Sequence, residues 1–566
     1  MSNIYLPKST ISESRANFIW ISLLLGFIVL FFAGFTRVFL LQEDLNEYFS
    51  RQHYDSSEIK AHRGSIWGKG GAALAMNADT YHITLSPKQL RQAKTSKEQY
   101  QRYAQVLAQA LEMTPEEVLK QMHSERRFLY LQKNVPASVA EHIKWSKITG
   151  VGAEYISKRF YPDGENFAHI VGYTDWRGIG RSGIEFVKHG KLDATDGEVR
   201  HINAGQKGAI SELSHQPAVA GKNVYLTLDR GLQYQTHTAL AAATQKHKAA
   251  SASAMVMDIT NGDILALANY PSFNPNFIRT EGDNQINHAL ADQVEPGSTV
   301  KPFVIALALE DQLTEATEVL ETKKALQVGK LRVHDKHVRE NLDVRGVIRK
   351  SSNVGAVLLA QRIGGERLES FYRQLGFGGD KVLQFPGEGK GLLRQHKGWR
   401  SVDLATHAYG YGFSLTLPQL LQAYSIFATD GVLVTPRLWQ REAVVAKKHV
   451  LSPAVARSVR SMMEEVVSTK GTAAAAAIPG YRVAGKTGTV GKWTNGEFDL
   501  SRRRVFFAGM APASKPRYVV VVMVDEPTKN GDSGGAVAAP LFQKIMQSAL
   551  LFGGIRPDAI RAKKVI

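Results

Sequence analysis

From Ala16 to Thr36 the chain carries no charged residue, and Leu, Ile, Phe and Val dominate the stretch. About twenty apolar residues rising about 1.5 Å each match a hydrocarbon core roughly 30 Å thick, and such a run is longer than the core of a signal peptide. The pattern predicts one membrane-spanning helix over residues 16–41. Lys8 and Arg15 precede it, and Glu43, Asp44 and Glu47 follow it, with Arg37 the basic residue at its far end. The positive-inside rule then places residues 1–15 in the cytoplasm and the body of the chain outside. No later segment is apolar for long enough to span.

Beyond the span the apolar positions come in short, mixed periods. Ser96 to Leu111 and Pro115 to Ser124 read as helices within a segment, 42–215, that otherwise holds short strand-like pieces, so this part is expected to be an irregular α+β module. Gly and polar residues cluster from His201 to Lys222, and Asn223 to Asp229 then alternates as a strand opening a second domain, with the boundary near residue 216. Ser253 to Asp258 and Ile264 to Leu267 flank Asn261-Gly262 and read as a hairpin, because Asn-Gly tolerates the positive φ of a tight turn. Arg504 to Ala508 and Tyr518 to Val524 are strand-like, and Leu541 to Leu551 is helical. Elements of this kind pack as a sheet with helices on both faces. The second domain is expected over 216–555, followed by a basic tail over 556–566.

The chain has 566 residues, more than one hydrophobic core usually organises, with apolar and charged fractions of 44% and 22% that suit a mostly water-soluble fold. Its net charge of +18 suits nucleic acid, an anionic bilayer or an acidic wall polymer, and charge alone does not choose among them. The basic residues are spread along the chain without interleaved aromatics or a nucleic-acid-binding motif, which argues against nucleic acid. Having no cysteine, the chain can form no disulfide, thiolate nucleophile or cysteine metal site.

Candidate chemistry begins at Glu295-Pro296-Gly297-Ser298-Thr299-Val300-Lys301. A serine and a lysine three apart at a helix start share one face. A serine hydroxyl needs a base, and a lysine serves if burial and nearby positive charge depress its pKa. Alone the pair is a chance pattern. Ser351-Ser352-Asn353, opening a helical stretch over Val354 to Ala360, and Lys486-Thr487-Gly488-Thr489, after the strand-like Tyr481 to Ala484, make an ordered set with it. Gly480 to Thr487 also matches a P-loop, but the intervening residues look like strand and no helix follows, so nucleotide binding is not expected. His334 and His337 lack a third ligand, so a loop is favoured over a metal site.

The three motifs, in this order, resemble the serine penicillin-binding protein and β-lactamase superfamily. Arg63-Gly64-Ser65-Ile66, Arg159 to Pro162 with Ala168 to Gly172, and Gly180 to Glu185 look like the pedestal motifs of class B high-molecular-weight members. Leu226 to Asp229, Pro271 to Asn276, Tyr409 to Gly412 with Thr416 to Gln419, and Asp525-Glu526-Pro527 look like transpeptidase landmarks. Ser351-Ser352-Asn353 and Pro271 to Asn276 are similar to the septal, cell-division branch. The first pedestal motif departs from the family, with Gly68 and Lys69 where an Asp-Arg pair is usual, and this puts in doubt a charge network from that segment to Glu185.

The resemblance implies a penicillin-binding transpeptidase fold of the α/β (α+β) class, an antiparallel sheet flanked by helices, behind a pedestal and a single transmembrane helix. It implies a D,D-transpeptidase in the bacterial inner membrane, its catalytic domain in the periplasm, that cross-links peptidoglycan stem peptides at the septum and is acylated by β-lactams. In it Ser298 attacks, Lys301 takes the proton, Ser351 relays a proton to the leaving group, and Asn353 holds substrate and helps position Lys301. Lys486, Thr487 and Thr489 bind the terminal carboxylate, Gly488 leaves room, and the backbone N–H groups of Ser298 and Thr489 form the oxyanion hole. No cofactor or metal is implied. The implied partners are the membrane, a multi-spanning septal glycosyltransferase and single-span division proteins. A D,D-carboxypeptidase or β-lactamase on the same scaffold stays an alternative, as does a penicillin-acylated division scaffold. A signalling receptor is disfavoured by the short segment before the span.

Overall fold

The computed structural model describes residues 13–51, 54–203, 210–277, 283–335, 340–440, 447–494 and 497–559. By packing, these divide into two units, one within Met1–Ala61 and Ala194–Ala220, the other within His62–Asp193 and Gly221–Ile566.

In the first unit a single helix covers Glu13–Arg51, and its apolar run Asn17–Gln42 has a mean hydropathy of 2.6. None of that run is buried in the protein. A core helix of a soluble fold would be buried, so length, composition and exposure together suit a bilayer. The same unit holds an antiparallel sheet in which Gly197–Asn203 lies between Tyr54–Ile59 and Ile210–Gln216.

The second unit has two apolar cores. The smaller packs Ile83 and Leu85 of the strand Ala73–Leu85 against Leu107, Val118 and Ile143 from three helices. Two of these helices begin where capping boxes allow. Ser96 and Gln99 start Lys97–Leu111, and Thr114 and Glu117 start Pro115–Met122, each pair satisfying two otherwise orphaned N–H groups. The expected helices are therefore present within a residue or two.

Three segments of the pedestal type meet at Glu185, which is 0% exposed. Arg63 Nε and Arg159 Nε donate to its two carboxylate oxygens at 2.7 Å each. Arg63 also donates to the Glu185 carbonyl at 3.0 Å. The charge network questioned on account of Gly68 and Lys69 is thus present, with Arg63 supplying the charge from five residues upstream. Gly172 sits at φ 76, and a Cβ there would come within 2.0 Å of the Ser182 carbonyl, so the chain closes around Glu185 only with glycine at this point.

The larger core belongs mainly to the part that carries the three motifs. Its labelled elements are α1 (Arg230–His247), β1 (Ser251–Asp258), β2 (Ile264–Tyr270), α2 (Lys301–Glu310), α3 (Val344–Lys350), α4 (Asn353–Ile363), α5 (Leu417–Ala428), α6 (Pro453–Val467), β3 (Ala484–Thr494), β4 (Glu497–Ala511), β5 (Tyr518–Asp525) and α7 (Ala539–Phe552). The strands form one antiparallel sheet in the order β2-β1-β5-β4-β3. Every residue of β1 and β5 is buried, so both sheet faces are covered. Phe507 of β4 packs on Phe542 of α7, while α5 lies against β5, β4 and β1.

Two strand expectations are corrected. Of Asn223 to Asp229 only Val224–Tyr225 is strand, pairing in parallel with Ile66–Trp67. The next residues bond to separate elements, Leu226 N–H to Trp67 O at 2.7 Å and Thr227 N–H to Leu438 O at 2.9 Å, and Asp229 caps α1 through Leu232 N–H. Second, Tyr481 to Ala484 is not the body of a strand. The strand starts at Ala484 and runs through Lys486 to Thr489, because pairing with β4 outweighs the low strand propensity of Gly485, Gly488 and Gly491.

Removing one partner from a buried ion cluster leaves the others uncompensated, at a cost of about 3–5 kcal/mol. Glu185→Ala leaves two guanidinium groups facing each other. It is expected to lower the unfolding free energy of the detergent-solubilised chain by that amount in a denaturant titration, and Glu185→Gln by less.

Candidate active site

Ser298 sits in a turn set up by Pro296 and by Gly297 at φ 54, whose N–H donates to Gly410 O at 3.0 Å. Gly297–Val300 is a 3₁₀ turn running directly into α2. In such a turn residues i and i+3 eclipse, so Ser298 stands over Lys301. Ser298 is half-buried, whereas Lys301, at the first position of a helix that is apolar from Pro302 to Leu309, is 0% exposed. Pro302 is tolerated because first-turn N–H groups have no intrahelical partner.

The second motif is a corner between two helices. Ser351 ends α3 in the left-handed conformation, φ 59 and ψ 43, and Ser352 immediately caps α4 by accepting from Gly355 N–H at 2.9 Å. This places Lys301 Nζ within donating distance of Ser351 O and Asn353 Oδ1, both at 2.6 Å, and 3.4 Å from Ser351 Oγ. The third motif approaches on β3. Lys486 Nζ donates to Ser351 Oγ at 2.9 Å and lies 3.2 Å from Thr487 O. A Cβ at Gly488 would come within 2.9 Å of Thr299 Cγ2 and 3.0 Å of Pro296 O, so the strand can lie this close to the serine turn only with glycine. Thr487 Oγ1 is 3.3 Å from Thr472 Oγ1, and Thr489 Oγ1 accepts from Gly534 N–H at 3.0 Å, which leaves the Thr489 hydroxyl proton for a ligand.

All the expected site residues therefore belong to one place: the 3₁₀ turn, the α3–α4 corner and β3. Two buried lysines touch one hydroxyl there. Burial pulls the Lys301 amine down from 10.5 to about 7, and the carboxylate of Asp335 opposes the shift. Burial, then the charge of Lys301, also holds Lys486 well below its ordinary value. A neutral Lys301 has two N–H groups, both with an acceptor in Ser351 O and Asn353 Oδ1, and one lone pair left for a third partner.

Sequence reasoning missed Asp335. Its Oδ1 accepts from the N–H groups of Asn353 at 2.5 Å and Val354 at 3.4 Å, and its Oδ2 accepts a short bond from Ser352 Oγ. It fastens the start of α4, where the helix dipole favours an anion. The residue lay in view between His334 and Lys336, in a stretch weighed only for metal ligands. His337 lies outside the described residues, and no group of three or more potential metal ligands occurs among those described. The P-loop match fails on geometry, since Lys486 and Thr487 pair with Ala508 and Phe507 inside an antiparallel sheet.

A profile of the penicillin binding protein transpeptidase domain matches residues 252–547, and one of the penicillin-binding protein dimerisation domain matches residues 58–226. The chain belongs to the penicillin-binding protein transpeptidase family. This penicillin-binding protein is 36% identical to the probable peptidoglycan D,D-transpeptidase PenA of Neisseria meningitidis, covering 98% of this chain and 95% of that one. It is 33% identical to the peptidoglycan D,D-transpeptidase FtsI of Escherichia coli, over 89% and 86% of the two chains. Among solved structures, penicillin binding protein 3 of Mycobacterium tuberculosis, complexed with aztreonam, superposes with a TM-score of 0.69 at 28% identity, covering 89% of this chain and 98% of that one.

The lowered value of Lys301 has a sign that can be tested. Between about 7 and 10.5 the unfolded chain keeps a proton that the folded one has lost, so stability climbs as pH rises through this window. The penalty is fully present below about 7. Lys301→Met is expected to remove a slope of up to about 1.4 kcal/mol per pH unit from the unfolding free energy measured between these limits.

Proposed function

We propose that this chain is a peptidoglycan D,D-transpeptidase that works through an acyl-serine and is anchored by its N-terminal helix with the catalytic part outside the cytoplasm. The observation that carries the reading is the buried Lys301 amine, poised near neutrality one turn below Ser298 and held by Ser351 and Asn353. The domains of the reading are a pedestal over 42–215 and a transpeptidase domain over 216–555.

In the first step Ser298 Oγ gives its proton to Lys301 and bonds to the carbonyl carbon between the two terminal D-alanines of a stem peptide. The N–H groups of Ser298 and Thr489 receive the developing oxyanion. Ser351, already accepting from Lys486, passes its proton to the departing D-alanine nitrogen and is reprotonated from the lysine pair. Lys486 with the Thr487 and Thr489 hydroxyls holds the terminal carboxylate, whose charge lets Lys486 keep its proton. The amine of a neighbouring stem then attacks the ester, the bond to Ser298 Oγ breaks, and the amine's proton returns to that oxygen. The cross-link is an amide. Ser351-Ser352-Asn353 and Pro271 to Asn276 resemble the septal branch, and this supports a role in division with a septal glycosyltransferase and single-span division proteins.

Intact mass spectrometry after brief exposure to benzylpenicillin tests the reading. A single stable adduct that Ser298→Ala abolishes is expected, and consumption of penicillin without an adduct would favour a hydrolase. The acylation rate should rise as pH passes through about 7, where Lys301 loses its proton, and level off above it.

A further inference from the structure

Beside the α3–α4 corner lies a cavity of about 360 Å³. Its charged lining is Lys323, Lys324, Arg332 and Asp335, with His334 next to Asp335. The size lies in the lower part of the range for small-molecule sites, about 300–1,000 Å³. One wall is the hairpin of Leu326–Val328 and Leu331–Val333, whose strands pair antiparallel. The base of the wall is fastened. Thr322, 1% exposed, donates from its hydroxyl to Glu340 O at 2.8 Å and accepts from Leu342 N–H at 2.9 Å, and Lys323 N–H donates to Asn341 Oδ1 at 3.2 Å. The basic side chains therefore project from a fixed backbone.

The charges do not cancel. Three cations face one carboxylate, and Asp335 already accepts from three donors of the Ser352-Asn353-Val354 segment, so the space keeps an excess of positive charge. Lys324 also meets Glu321 at 2.8 Å, but the two side chains are 80% and 62% exposed, and a pair so open to solvent holds weakly. The cavity shares Asp335 with the corner that carries Ser351 and Asn353: Asp335 accepts from Asn353 N–H, and the Asn353 side chain accepts from Lys301, so the cavity is linked to the buried amine through one residue. Lys486, Thr487 and Thr489 approach the same corner from β3 and are taken by the donor's terminal carboxylate in the transpeptidase reading.

We infer that this cavity is a carboxylate subsite for the acceptor stem peptide, binding acidic groups next to the amine that attacks the acyl-enzyme. The inference rests on the transpeptidase reading above. The acceptor that fits is a stem peptide whose diamino acid carries a free carboxylate beside the attacking amine, since an arginine with neighbouring lysines matches that chemistry, Arg332 by paired N–H donors and the lysines by point charge. A site that holds the acceptor only by its acid groups would let amine reach the ester ahead of water.

The test uses the full-length, detergent-solubilised chain with an N-acyl-D-alanyl thioester as donor. Two acceptors are compared, a tripeptide with a free side-chain amine and two carboxylates, and the same tripeptide with both carboxylates amidated. The readout is the ratio of amide formed to donor hydrolysed. For the double variant Lys323→Gln, Arg332→Gln the ratio is expected to fall roughly tenfold with the acidic acceptor and to stay level with the amidated one, the size of effect that follows loss of charge-assisted hydrogen bonds. Lys323→Arg with Arg332→Lys should keep most of the preference. An equal fall for both acceptors, or an unchanged ratio, overturns the subsite while the penicillin adduct at Ser298 keeps the transpeptidase reading in place. Failure of the unsubstituted chain to form any acyl-enzyme overturns both.

Discussion

The structure of the catalytic part is organised around one costly placement, an amine buried at the start of an apolar helix. Water would stabilise the Lys301 ammonium far better than the interior of α2 does, and burial answers by favouring the neutral amine. What keeps the placement tolerable is that each N–H finds a protein acceptor. Those acceptors have to come from a rigid source, and they do. Ser351 is held at a left-handed φ between two helices, and Asn353 is held by Asp335 through its own N–H. Lys486 arrives on the edge strand of a five-stranded sheet, paired along its length with β4. Positions of this kind move little, which is what the proposed proton relay through one shared hydroxyl requires.

The pedestal repeats the same physics for a structural purpose. Glu185 is taken fully out of water and compensated by two guanidinium groups 26 and 122 residues away in the chain, with the glycine at 172 allowing the close approach. A buried ion cluster of this type contributes little net stability over an apolar one, but losing one partner leaves the others uncompensated. The helix of Glu13–Arg51 stands apart from this logic. Its exposed apolar surface has no partner among the described residues and suits a lipid environment.

Much of the site was legible because its chemistry is written in short spacings. Ser298 and Lys301, Ser351 and Asn353, and Lys486 to Thr489 are local patterns, and a local pattern survives without knowledge of the fold. The misreadings share a different cause. Asn223 to Asp229 alternates as a strand does, yet its N–H groups are claimed by Trp67 and Leu438, which no local period announces. The glycines of β3 speak against a strand, and β4 overrides them. Gly68 and Lys69 drew attention to a missing ion pair, while Arg63, five residues earlier, supplied the charge.

By itself the sequence determined the apolar run long enough to span a membrane and the caps that start its helices, since both follow from side-chain chemistry at near spacing, while the fold class and the roles expected of the motif residues came through resemblance to a family. Tertiary structure alone decided how those groups are tuned. The depressed value of Lys301, the sharing of Ser351 Oγ by two lysines, the fastening of α4 by Asp335 and the basic cavity beyond it all depend on burial and on contacts between residues far apart in the chain. Desolvation and long-range Coulomb interaction are properties of the packed interior, and a linear pattern carries no record of either.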